Sequence, residues 1–136
     1  MELEVIKPKV AVLAEKYGLD FVVLYGSQAT GKTHAKSDVD VGVISQQSFD
    51  LYRLMMDLSA VFKRPNVEVV DLATASPTLS HAIVRDGKLL YENPVGSFSR
   101  WKVYATKIWM ETRWLRDRRD QKLINWARKH ERVYAN

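Results

Sequence analysis

The sequence predicts a small α/β (α+β) domain, a mixed sheet covered by helices, with a C-terminal helical extension. Three observations carry this expectation. The 136 residues suit one domain, at roughly 100 to 200 residues each. Segments with apolar residues three and four apart alternate with short apolar, β-branched runs, the pattern of helices laid on a sheet. Finally, the charge is divided: residues 1–95 carry 10 basic and 12 acidic side chains, whereas residues 96–136 carry 11 basic, 4 acidic and all four tryptophans.

The elements follow in order. Leu3, Ile6, Val10, Leu13, Ala14 and Tyr17 predict a helix over 3–17 despite Pro8, stopped by Gly18. Phe21–Tyr25 is a buried strand running into a turn at Gly26. Asp38–Ile44 alternates acid and valine before turning wholly apolar, a second strand. Leu51, Leu54, Met55, Leu58 and Phe62 place a helix over 49–62, with Pro65 beyond it. Val67–Leu72 is a third strand; Ser76 and Pro77 cap and open a short helix to Val84. Asp86-Gly87 turns the chain into a fourth strand over 88–91. This order implies helices on one side of the sheet. The breakers Asn93-Pro94-Val95-Gly96 separate a domain over 1–95 from a basic, aromatic helical tail over 96–136, in which 98–134 forms one long helix or two.

Composition removes several classes. With 46% hydrophobic and 27% charged residues the chain should fold. No cysteine and three scattered histidines leave no disulfide framework and no thiolate zinc site, which fits a reducing, cytoplasmic setting. No apolar run is long enough to span a bilayer, and the start lacks the features of a secretory signal, so the expectation is a soluble, untargeted chain.

The stretch Gly26–Asp40 carries the chemistry, and it fits two phosphate-handling patterns. Gly26 to Thr33 matches G-x-x-x-x-G-K-T, with Asp71 at the end of a later strand as an acidic partner. A phosphate loop of that kind opens a substantial helix, yet only His34 to Ser37 separate Thr33 from a segment of period two. GKT is therefore read as a chance match. The second pattern is Gly26-Ser27, ten residues, then Asp38-Val39-Asp40. Residues i and i+2 of a strand share a face roughly 6.5 to 7 Å apart, so both carboxylates can aim at one point and share two hard cations. Gly26 lets the backbone approach a phosphate, and Ser27 adds a hydroxyl and an N–H. A third acid belongs on a neighbouring strand. Glu68 and Asp71 are the candidates, and their opposite parity puts them on opposite faces. Glu68 is preferred because a mid-strand carboxylate needs a partner, while Asp71 reads as a turn or cap residue.

These residues resemble the polymerase-β-like nucleotidyltransferases, and within them the minimal nucleotidyltransferase (MNT) antitoxins of HEPN/MNT toxin–antitoxin pairs. The likeness rests on Gly26-Ser27, Ser37, Asp38 and Asp40, and on the segment from Val67 to Glu92, and covers roughly residues 5 to 93. It implies a Mg2+-dependent protein adenylyltransferase that moves AMP from ATP to a hydroxyl, expected to be a tyrosine, of a cognate HEPN-domain RNase toxin. By the same resemblance Asp38, Asp40 and Glu68 hold two Mg2+ ions, Glu68 activates the acceptor, and Gly26-Ser27 hold the nucleotide's terminal phosphates. Two departures stand out. Relatives carry arginine near positions 28 or 30, where this chain has Gln28 and Thr30, leaving Lys32 or Lys36 to supply the charge; and the third acid is usually aspartate, not glutamate.

In the tail, Trp101, Tyr104, Ala105, Ile108, Thr112 and Leu115 fall along one helical face among arginines and lysines. Aromatic residues with arginine suit a protein interface, so the tail is expected to pack on the domain, dock a partner in a hetero-oligomer, or both. Direct nucleic-acid binding is the less favoured use of its charge. A non-catalytic antitoxin acting by contact and a nucleotidyltransferase acting on a small molecule remain as alternatives.

Overall fold

The computed structural model describes residues 2–31 and 38–134. Helix α1 (Leu3–Tyr17) turns Ile6, Val10, Ala14 and Tyr17 inward and contains Pro8 without ending there. Strand β1 (Leu19–Tyr25) leads into a single turn of helix, α2 (Ser27–Thr30). Strand β2 (Val39–Ser45) follows, then α3 (Leu51–Phe62), β3 (Val67–Asp71), α4 (Pro77–Asp86) and β4 (Lys88–Glu92). Two further helices, α5 (Ser97–Glu111) and α6 (Arg113–Tyr134), complete the chain. Ser76 caps α4 as expected, its Oγ accepting from Leu79 N–H at 3.2 Å; α3 starts two residues later than expected, because Asp50 is its cap, Oδ1 accepting from Arg53 N–H at 3.1 Å.

The four strands lie in the order β3-β2-β1-β4, with β2 and β3 parallel and the other pairs antiparallel, so the sheet is mixed. Alternation along each strand divides its residues between two cores. Val22, Leu24, Val39, Val41, Val43, Val67 and Val69 face α1 and α3, meeting Val10, Leu54 and Leu58. Phe21, Val23 and Leu72 face the other way, against Ile83 of α4 and Phe98, Trp101 and Ala105 of α5. Helices thus cover both faces, not the one side expected. The unbroken apolar run Phe21-Val-Val-Leu24 is what a strand buried on both faces requires.

The tail divides at Thr112. Helix α5 is built into the second core, its Phe98 and Trp101 rings 5.1 and 5.6 Å from that of Phe21. Along α6 no described side chain is buried. The expected single stripe is therefore broken: Trp101 and Ala105 are buried, but Tyr104 is 63% and Leu115 48% exposed. The junction is held by Trp109, whose ring stacks on His81 of α4 at 4.0 Å and carries the Arg116 guanidinium 3.3 Å above its centre. Arg116 Nη2 also donates to the Trp109 carbonyl at 2.6 Å. Among the described residues no helix is long and apolar enough to cross a membrane.

Candidate active site

At the end of the sheet where β1 finishes and β2 and β3 begin, the second face is left open. Leu72 closes its inner side, its methyls lying about where a Cβ on Gly42 would point. Two residues nearer the rim, Asp40 sits in register with Glu68 of β3 on one side and Tyr25 of β1 on the other. Directly paired residues project to the same face, so these three side chains share one mouth. Asp38 precedes β2 by one residue, two positions from Asp40, and is exposed, as is Glu68. Asp40 is half-buried.

The electrostatics record this crowding. Burial raises the Asp40 carboxyl above its ordinary range, and the charges of Glu68 and then Asp38 push it further. Tyr25 is raised to about 12 by burial, then by Asp40 and Glu68. From sequence Tyr25 is only the residue that closes the strand before Gly26; its pairing with Asp40 is set by the β1–β2 register. Asp71 is placed elsewhere. Its Oδ1 accepts from Ala73 N–H at 3.0 Å, making it the residue that turns the chain out of β3.

Gly26 makes this arrangement possible. Its φ of 72° and ψ of −150° belong to a region used almost only by glycine. A Cβ built there would lie 2.6 Å from Asp40 Oδ2. The Asp40 carboxylate therefore fills the space a side chain at position 26 would need, which brings the bend and the acid close together. Helix α2 starts from this bend, Ala29 and Thr30 N–H donating to the Gly26 carbonyl at 3.2 Å, and Ser27 is half-buried at its first position. The helix is only four residues long and ends at Gly31. With β2 starting at Val39, the phosphate-loop geometry that GKT would need, a long helix after Thr33, has no space. Lys32, Lys36 and Ser37 lie outside the described residues.

Two aspartates and a glutamate are hard oxygen donors, the set that suits Mg2+. Among the described residues, no group of three or more acids or histidines is placed so that it could hold a metal ion. Mg2+ is usually bound through one or two carboxylates, with substrate phosphates completing the shell.

The tyrosines give this part of the molecule a measurable signature. Burial, followed by Asp57, raises Tyr17 to about 12, its hydroxyl donating to Asp57 Oδ2 at 2.6 Å between α1 and α3. Tyr17 and Tyr25 should therefore ionise late in a spectrophotometric titration, and Tyr25→Phe should remove one late step. Because the folded values are raised, the stabilisation from these two groups is complete below the unfolded value of about 10 and is lost as pH climbs towards 12.

A four-stranded mixed sheet with a Gly-Ser bend facing an Asp-x-Asp strand defines a nucleotidyltransferase domain. The profile of the family described as "Polymerase beta, Nucleotidyltransferase" matches residues 9–94, and the chain belongs to that family. Within it, the chain is 33% identical over 96 residues to the protein adenylyltransferase MntA of Aphanizomenon flos-aquae, covering 62% of this chain and 64% of that protein. It is 32% identical over 76 residues to the protein adenylyltransferase MntA of Shewanella oneidensis, covering 54% of each. The matches thus span between half and two thirds of those relatives' lengths. Among solved structures, a toxin–antitoxin crystallised with AMP-PNP superposes with a TM-score of 0.76 at 23% identity, over 87% of this chain and 98% of that one. A complex of a tri-AMPylated Shewanella oneidensis HEPN toxin with its MNT antitoxin gives 0.72 at 20% identity, over 90% and 99%. At those identities the likeness is one of fold.

Proposed function

We propose that this chain is a Mg2+-dependent protein adenylyltransferase that transfers AMP from ATP to a tyrosine hydroxyl of a HEPN-domain RNase toxin, and so serves as its antitoxin in the cytoplasm. The observation that carries the reading is the Asp40 carboxylate lying where a side chain on Gly26 would be, beside Glu68 in register and within the field of Asp38. Two relatives named as protein adenylyltransferases support the choice of nucleotide and acceptor class. Asp38 and Asp40 hold the cations, with Glu68 as the third ligand, and Gly26 and Ser27 receive the terminal phosphates. Bound Mg2+, as two ions, would neutralise charge on the phosphates and help pyrophosphate leave. The acceptor oxygen forms a bond to the α-phosphorus as the bond to the β-phosphate bridge breaks; Glu68 takes the hydroxyl proton, since a neutral hydroxyl is a weak nucleophile. Holding both reactants in one geometry supplies much of the acceleration.

The test is to incubate the chain with labelled ATP, Mg2+ and the product of an adjacent toxin-like gene, and to weigh that protein. Added AMP mass, dependent on Mg2+, is expected. An unmodified partner in a formed complex would leave only neutralisation by contact.

A further inference from the structure

We propose that α6 is a docking arm for a protein groove that is both apolar and acidic, and that it holds the acceptor while the carboxylate mouth, elsewhere on the chain, performs the transfer. This rests on the reading above only for who the partner is; the chemistry of the surface is read from α6 itself.

No described side chain of α6 is buried, yet it carries Leu115, Leu123 and Trp126 at 48, 58 and 60% exposure. At about 100° per residue, Leu115, Lys122 and Trp126 fall on one line, with Arg119 and Leu123 on one flank and Arg118 and Lys129 on the other. Leu115, Arg118, Arg119, Lys122, Leu123 and Trp126 form one continuous open face of the helix. The acids Asp117, Asp120 and Glu131 fall on the opposite side of the helix. Arg119 reaches Asp120 at 3.5 Å and Arg113 reaches Asp117 at 3.8 Å, but among the described residues no ion pair engages Arg118, Lys122 or Lys129. Large apolar side chains interleaved with cations, and no acid on the same face, are complementary to a groove that offers apolar pockets and carboxylates side by side.

Other occupants fit less well. A phosphate backbone would satisfy the cations but offers nothing to Leu115 and Leu123. One face of Trp126 is already covered by His130, stacked at 4.1 Å, which limits base stacking. A lipid surface needs the apolar strip free of charge, and Lys122 lies on its axis. A second copy laid face to face would set these cations against their equivalents.

The test uses the full chain and the product of the adjacent toxin-like gene. Two variants are compared with wild type: Arg118→Glu with Lys122→Glu and Lys129→Glu, and Leu115→Ser with Trp126→Ser. Each should weaken the complex by at least about tenfold, and wild-type affinity should fall steeply with added salt. The exchanges Arg118→Lys, Lys122→Arg and Lys129→Arg should retain binding. At saturating partner the AMP transfer rate should stay within about twofold of wild type, with the loss appearing in KM. Charge-reversed chain binding as tightly as wild type overturns the proposal, as does a wild-type chain that forms no complex. It is also overturned if the same substitutions abolish instead binding to phosphatidylserine vesicles, binding to RNA, or self-association seen by light scattering. A complex that depends on α6 but transfers no AMP would sink the enzymatic reading and leave the docking arm standing; transfer with α6 irrelevant would do the reverse.

Discussion

Replacing Asp38 or Asp40 by asparagine should reduce AMP transfer by about a thousandfold, the scale on which losing a charged group from a reacting centre is felt. Asparagine keeps the size of each side chain while removing the negative charge that, on the proposed reading, would hold Mg2+. The fold should survive, and for Asp40 the substitution should help it. A carboxyl raised in the folded state, here by burial first and then by Glu68 and Asp38, favours folding while protonated. That contribution is complete below the unfolded value and is lost as pH rises through the folded one. Without divalent cations, the Asp40 contribution should therefore fall with rising pH across the acidic range, against the opposite trend from Asp57, whose carboxyl is lowered by its bond from Tyr17; Asp40→Asn should remove the first trend and unfold no earlier than wild type at neutral pH. Circular-dichroism melts beside the transfer assay separate the two effects. An antitoxin acting by contact alone would keep protecting cells from its toxin with both aspartates changed; loss of protection with an intact complex is the expected result.

Gly26→Ala should be the most damaging single-atom change. The backbone conformation, in a region used almost only by glycine, alone costs about 1–3 kcal/mol for a residue with a Cβ. Overlap with Asp40 Oδ2, 2.6 Å from the new carbon, adds about 1–3 kcal/mol or displaces the carboxylate. Both outcomes disable the site, so melting temperature and transfer should fall together, unlike in the Asp38 variant. Gly31→Ala is the control. Its φ is also positive, at 77°, but a Cβ there meets nothing within 4 Å, so backbone strain appears without harm to Asp40.

Much of this was legible in the sequence because the elements are short, well punctuated and strongly patterned. Helix α1 occupies the residues its apolar spacing marks, and Asp50 and Ser76 are caps whose side chains satisfy free amides. Parity separated Glu68 from Asp71, and the cost of an unpartnered mid-strand carboxylate favoured Glu68; that it stands beside Asp40 is set by the β2–β3 register, which the sequence does not spell out. The placement of helices around the sheet was not legible from element order, which does not say on which face a connection returns. The two-sided apolar run in β1 held that information. The break at Thr112 was equally hidden: no glycine or proline marks it. Thr112 Oγ1 instead bonds to the Ile108 carbonyl at 2.7 Å and receives Arg116 Nη1 at 2.8 Å, a local arrangement that spacing does not encode. Tyr25 was missed because a tyrosine closing an apolar strand looks like packing until its cross-strand partner is known to be Asp40.

The most direct measurement is a crystal structure of the chain with Mn2+ in place of Mg2+ and a non-hydrolysable ATP analogue, located by the anomalous signal of the metal. The account predicts manganese between Asp38, Asp40 and Glu68, with the analogue's terminal phosphates against Gly26 and Ser27. Metal and triphosphate seated away from those carboxylates, or a nucleotide bound with no metal near them, would contradict it.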